Sequence, residues 1–131
     1  MRSKIEKQFS EALQKNISSE FSCNDRLLPG TPDIVFNSKY LAIFFHGCYW
    51  HSHHCQKRKH SFQWHGILED IKVHDTVCNS RLLALGYETL IVWECEWRSN
   101  PNAVLEEIKG RLHFALPLPS TRKIYLQAHQ N

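Results

Sequence analysis

A chain of 131 residues has room for one hydrophobic core of ordinary size and too little for two, so a single domain with a single site is expected. With 42% hydrophobic and 22% charged residues and a mean hydropathy of -0.44, the composition is globular rather than disordered or membrane-embedded, and no apolar run approaches a membrane span. A net charge of +3, with nine histidines counted as neutral, permits nucleic-acid binding without demonstrating it.

In chain order, the charged N-terminus runs directly into an amphipathic pattern without the apolar stretch of a secretory leader, so the cytoplasm is the expected compartment. Ile5, Phe9 and Leu13 recur every four residues, which predicts a helix over about residues 3 to 16 with one buried stripe. Asn24 to Pro32 carries two prolines and a glycine and reads as a loop. Asp33-Ile34-Val35-Phe36 and Tyr40-Leu41-Ala42-Ile43-Phe44-Phe45 have strand composition, and the polar break Asn37-Ser38-Lys39 between them predicts a hairpin. The second run is apolar throughout, as expected of a strand covered on both faces.

The segment His46-Gly47-Cys48-Tyr49-Trp50-His51-Ser52-His53-His54-Cys55 follows that strand, packing four histidines and two cysteines into ten residues. A basic loop, Gln56 to His60, comes next. A helix or two is then predicted between about Ser61 and Leu85, from the spacing of Ile67, Leu68, Ile71, Leu82, Leu83 and Leu85, with Gly86 as the C-cap. Tyr87 to Trp93 reads as another buried strand that delivers Glu94 and Cys95 at its end. Ser99-Asn100-Pro101 starts a helix with Val104, Leu105, Ile108 and Leu112 on one face. This order predicts one α/β domain over residues 1–131, a mixed sheet flanked by helices, with a core at about 3–114 and a tail or terminal strand at 115–131.

Thiolate and imidazole suit tetrahedral zinc, and Cys48, His53, Cys55 and Cys95 supply a closed, structural set. In a reducing compartment, cysteines interleaved with histidines read as ligands before disulfides. Of the imidazoles that then remain in the segment, His46 and His51 are the first candidates for the chemistry, because imidazole exchanges protons near neutral pH. Asp33, fixed by Pro32 at a strand start, is a candidate Mg²⁺ ligand, because the adjacent strand, about 5 Å away, ends at Phe45-His46 and offers the Phe45 carbonyl to the same ion. Cys23 and Cys78 read as small buried apolar residues. His54, His60, His65, His74, His113 and His129 read as solvated or structural, and Trp93 and Trp97 as packing.

The motifs Leu28-Pro29-Gly30-Thr31-Pro32-Asp33-Ile34-Val35, Phe45 to Cys55, Arg81-Leu82 with Leu85-Gly86-Tyr87, and Ile91-Val92-Trp93-Glu94-Cys95 resemble the very-short-patch-repair endonucleases across about residues 2 to 114. The resemblance implies a restriction-endonuclease-like fold and Mg²⁺-dependent nicking of double-stranded DNA 5′ to the thymine of a T·G mismatch. It implies structural Zn²⁺ on Cys48, His53, Cys55 and Cys95, and Mg²⁺ on Asp33 and the Phe45 carbonyl. His46 and His51 become the catalytic histidines, with Asp75 and Glu6 as supporting acids. Tyr49, Trp50 and Trp64 match aromatic residues that wedge into the base stack, where stacking contributes roughly 1–3 kcal/mol per base. Lys57, Arg58, Lys59 and Arg81 are the candidates for phosphate contact.

Three departures from the family pattern bear on specificity. The family's N-terminal arm has no counterpart ahead of the first helix, so a weaker grip on DNA, or help from other repair proteins, is expected of a monomer. Ile71 stands where an asparagine is usual, and the loop from Cys55 to Trp64 is short. Two further readings use the same residues: a restriction endonuclease that cuts both strands of paired DNA, and a zinc-stapled DNA-binding module without catalysis.

Overall fold

The structure, a computed structural model, describes residues 3–48 and 65–113. Its elements are α1 (Lys4–Asn16), β1 (Ser22–Cys23), β2 (Ile34–Phe36), β3 (Leu41–His46), α2 (His65–Ala84), β4 (Glu88–Trp93), α3 (Glu94–Ser99) and α4 (Pro101–His113). The four strands form one mixed sheet in the order β1-β2-β3-β4, antiparallel across the first two junctions and parallel between β3 and β4. A parallel pair needs a crossover, and α2 lies in it.

α1 begins where expected. The Ser3 hydroxyl accepts from the Glu6 N–H at 3.3 Å, capping the helix, and Phe9 and Leu13 are fully buried. The hairpin also forms as the sequence predicts, with Ile34 opposite Ile43 and Phe36 opposite Leu41. Its turn takes in Tyr40, whose φ of +53° and ring contact with Tyr87 at 5.6 Å hold it out of the strand.

Strand alternation then assigns two faces. Ile34, Phe36, Leu41, Ile43, Phe45, Leu90 and Val92 point to one side and form a single core with α1, α3 and α4. Phe9 of α1 links the layers, its ring 5.3 Å from Phe45 and 5.1 Å, edge-on, from Trp97 of α3. Val35, Ala42, Phe44 and His46 alternate with these, and β4 places Thr89, Ile91 and Trp93 beside the last three of them. This second face meets α2.

α2 is one continuous helix of 20 residues, ended by Gly86 at φ +87°, where the Gly86 N–H donates to the Leu83 carbonyl at 2.9 Å. α3 was not anticipated: β4 passes into helix at Glu94 without a loop, burying Trp97 on the core side. α4 starts as predicted, with the Asn100 side-chain oxygen accepting from the Ala103 N–H at 3.1 Å and four apolar residues buried on one face. One expectation is corrected. Cys23 is exposed rather than buried, because it lies on a two-residue edge strand. Cys78 is buried as expected.

Candidate active site

A cavity of about 360 Å³ opens between α2 and the second face of the sheet. Four of the residues singled out in the sequence border it: Asp33, Phe45, His46 and Asp75.

Asp33 is placed by what precedes it. Thr31 closes a turn by donating its N–H to the Leu28 carbonyl at 3.1 Å, and the buried Pro32 then fixes the entry to β2. Continuing the β2–β3 register by one residue puts Asp33 opposite Phe44, on the face that meets α2. Its Oδ2 accepts from the Phe45 N–H at 2.7 Å, which ties the carboxyl group to the end of β3. The backbone of Phe45 therefore abuts the Asp33 carboxylate while its ring packs against Phe9 in the core.

His46 ends β3 and is 6% exposed; its ring stands edge-on to Trp93 at 5.2 Å and to Phe44 at 6.0 Å. Asp75 reaches the cavity from α2, together with Ile71 one turn earlier. Phe44, Ile71 and Ile91 form an apolar wall beside these polar groups.

Glu6 is placed elsewhere. It lines a second cleft with Phe45, Gly47, Glu94 and Arg98, in which Arg98 pairs with Glu94 at 2.9 Å. Phe45 borders both spaces, so Glu6 and Asp33 approach the end of β3 from different sides.

Cys48 is 3% exposed and lies two residues past the end of β3, while Cys95 sits in the first turn of α3, two residues past the end of β4. His46 and Trp93 are register partners in a parallel pair, so both cysteines leave neighbouring strands at the same end. Among the described residues no group of three or more His, Cys, Asp or Glu side chains is arranged to hold a metal ion. His51, His53 and Cys55 lie outside the described residues, as do Tyr49, Trp50, Lys57, Arg58, Lys59 and Trp64. The donors in view nonetheless sort by chemistry. The cavity offers the hard carboxylate oxygens of Asp33 and Asp75, which suit Mg²⁺, and the ends of β3 and β4 offer sulfur, which suits Zn²⁺.

The cavity also contains residues that the sequence reading left aside. His74, Cys78 and Asn79 of α2 face it beside Asp75. Their signal was the spacing of 71, 75 and 78, one helical face, which becomes readable once Asp75 is placed on it. Asn79 is oriented by the Thr89 hydroxyl, which donates to its side-chain oxygen.

Comparison with known proteins gives a consistent result. The sequence model of the family described as DNA mismatch endonuclease Vsr matches residues 2–57. The chain is 35% identical over 113 residues to the DNA mismatch endonuclease Vsr of Escherichia coli K12, covering 77% of this chain and 72% of that one. It is 36% identical over 89 residues to the type II nicking enzyme V.XorIIP of Xanthomonas oryzae pv. oryzae, covering 65% of each, just under two thirds of that relative's length. It is also 30% identical over 93 residues to the type II nicking enzyme V.NmeAIP of Neisseria meningitidis, covering 68% of this chain and 65% of the relative.

Proposed function

Since the chain belongs to the Vsr family of DNA mismatch endonucleases, we propose that it is a Mg²⁺-dependent endonuclease that nicks one strand of double-stranded DNA 5′ to the thymine of a T·G mismatch. The observation that carries this reading is the meeting of Asp33, His46 and Asp75 on one cavity at the end of β3.

Asp33 and the Phe45 carbonyl would hold Mg²⁺, which supplies charge stabilisation to the attacking and leaving oxygens of a phosphodiester. Water attacks phosphorus, the phosphorus–oxygen bond breaks, and protons leave the nucleophile and reach the departing oxygen. His46, held by Trp93 and Phe44 at the cavity wall, is positioned to move one of these protons, with His51 as its partner. Asp75, facing the same space, orients an imidazole and favours its protonated form. The Phe45 N–H fixes the Asp33 carboxylate, so the acid is preorganised before substrate arrives.

Structural Zn²⁺ on Cys48, His53, Cys55 and Cys95 would clip the ends of β3 and β4, the strands that carry the site. Tyr49, Trp50 and Trp64 would enter the base stack where a T·G wobble pair is cheaper to open, and Lys57, Arg58 and Lys59 would hold phosphates. The protein is read as a monomer acting in the cytoplasm with other repair proteins; no described helix is long and apolar enough to cross a membrane.

A nicking assay in Mg²⁺ on duplexes carrying T·G, other mismatches or full pairing tests the reading. One-strand cleavage confined to the T·G duplex is expected. Cleavage of both strands of paired DNA would show a restriction endonuclease instead, and binding without cleavage a DNA-binding module.

A further inference from the structure

The cavity holds a second set of donors of a different chemical kind. His74 and Cys78 lie one turn apart on α2, the i, i+4 spacing that puts two side chains on one helical face. The Cys78 sulfur is 3.5 Å from His74 Nε2 and 3.9 Å from Nδ1. The sulfur therefore lies over the ring rather than on the lone-pair axis of either nitrogen; turning the exposed His74 ring brings Nε2 to face the thiol, and a tetrahedral ion with a sulfur at about 2.3 Å and a nitrogen at about 2.0–2.1 Å then spans the two donors at about 3.5 Å. The thiol is held from behind: a Cβ at Gly30, whose φ is +79°, would meet the Cys78 Cβ at 2.9 Å and its sulfur at 3.1 Å. Turn backbone thus presses on Cys78 while His74 stays exposed on the cavity rim.

We propose that His74 and Cys78 form a seat for a thiophilic divalent ion, Zn²⁺ or Cd²⁺, in the wall of the Asp33 cavity, and that its occupation inhibits DNA cleavage. Two protein donors make it a weak seat, completed by solvent, and distinct from the zinc assigned to Cys48 and Cys95. Mg²⁺ prefers oxygen and does not compete for sulfur, so the two ions are separated by donor type. The Asp33 and Asp75 carboxylates on the same cavity add attraction for any cation that enters. An ion seated there puts positive charge and bound water beside Asp33, where the scissile phosphate and its own metal must fit. The inhibitory half rests on the nuclease reading given above; the binding half does not.

Cobalt reports the seat directly, because Co²⁺ bound to a thiolate gains a charge-transfer absorption. Co²⁺ is titrated into the purified protein carrying its own tightly bound metal. A saturable band is expected in the wild type, absent from Cys78→Ser, and weakened by about tenfold or more in apparent affinity in His74→Gln. No band in the wild type, or an equal band in Cys78→Ser, overturns the seat and leaves a simple thiol–imidazole hydrogen bond. Should Cys78→Ser fail to fold, His74→Gln decides alone, its side chain being exposed. Zn²⁺ is then added to nicking reactions in Mg²⁺, each protein normalised to its own zinc-free rate. His74→Gln should need about tenfold more Zn²⁺ for the same inhibition; equal inhibition of both proteins, or none of the wild type, overturns the inhibitory half. A wild type that does not nick even without Zn²⁺ refutes the nuclease reading, and the cobalt titration still decides the seat.

Discussion

One sheet presents two unlike faces. The face toward α1, α3 and α4 is closed and apolar, with Ile43, Leu90, Phe45 and Val92 interdigitating with Phe9, Trp97 and Ile108. The face toward α2 carries Asp33 and His46 and leaves a cavity, and Ile91 there is still 40% exposed. The two are interleaved residue by residue along β3, so a slip of one residue would exchange core and site completely. Phe45 shows how closely they are joined: its ring packs in the core and its N–H holds the carboxylate of the site. Rigidity on one face therefore sets geometry on the other.

The largest effect should come from cutting the proposed zinc tether at the ends of β3 and β4. Cys95→Ala removes one proposed zinc ligand at the end of β4, and zinc affinity is folding free energy in a closed site. The variant should lose stoichiometric zinc and its cooperative melting transition. Normal zinc content with an unchanged melting curve would remove Cys95 from the ligand set.

Asp33→Asn separates the faces most cleanly. The amide oxygen still accepts from the Phe45 N–H, so stability should change by no more than about 1–3 kcal/mol, while the hard anionic donor is lost. Single-turnover nicking should fall by about 10²-fold or more, with DNA affinity nearly intact by fluorescence anisotropy. Cleavage at the wild-type rate would dismiss Asp33 from its role. Phe9→Ala is the mirror experiment, expected to lower stability by about 3–5 kcal/mol through the cavity left against Phe45 and Trp97. The folded fraction should still cleave; a dead but well-folded Phe9→Ala protein would mean that the core face tunes the site more directly than packing requires.

The closed face was the more legible in sequence, and the reason is periodicity. α1 and α4 keep their apolar residues on one stripe, and the alternating hairpin has a polar turn, so each was readable alone. α2 scatters Ile67, Val73, Val77 and Leu83 over its exposed sides, which obscures its phase. The cavity-facing group of His74, Cys78 and Asn79 was hidden with it. Asp33 and His46 were found through chemistry and strand position, and Asp75 through family resemblance. Glu6 was grouped with them, but only packing shows that α1 lies on the core side and brings it to the neighbouring cleft. α3 is six residues, too short for any period to register.

The smallest effect tests whether the packed face can be weakened without touching the site. Asn100 caps α4 through one side-chain bond to the Ala103 N–H, and α4 packs its buried face into the core. Asn100→Ala should cost about 1 kcal/mol, a fall of roughly 3–5 °C in Tm for a chain of this size. Asn100→Asp should restore it, since a carboxylate at a helix N-terminus caps equally well and opposes the dipole favourably. Both should nick at the wild-type rate when assayed well below Tm. If Asn100→Ala slows nicking and Asn100→Asp recovers it, fraying of α4 is reaching β4 through Val104 and Leu105, and the two faces form one mechanical unit rather than a support and a site.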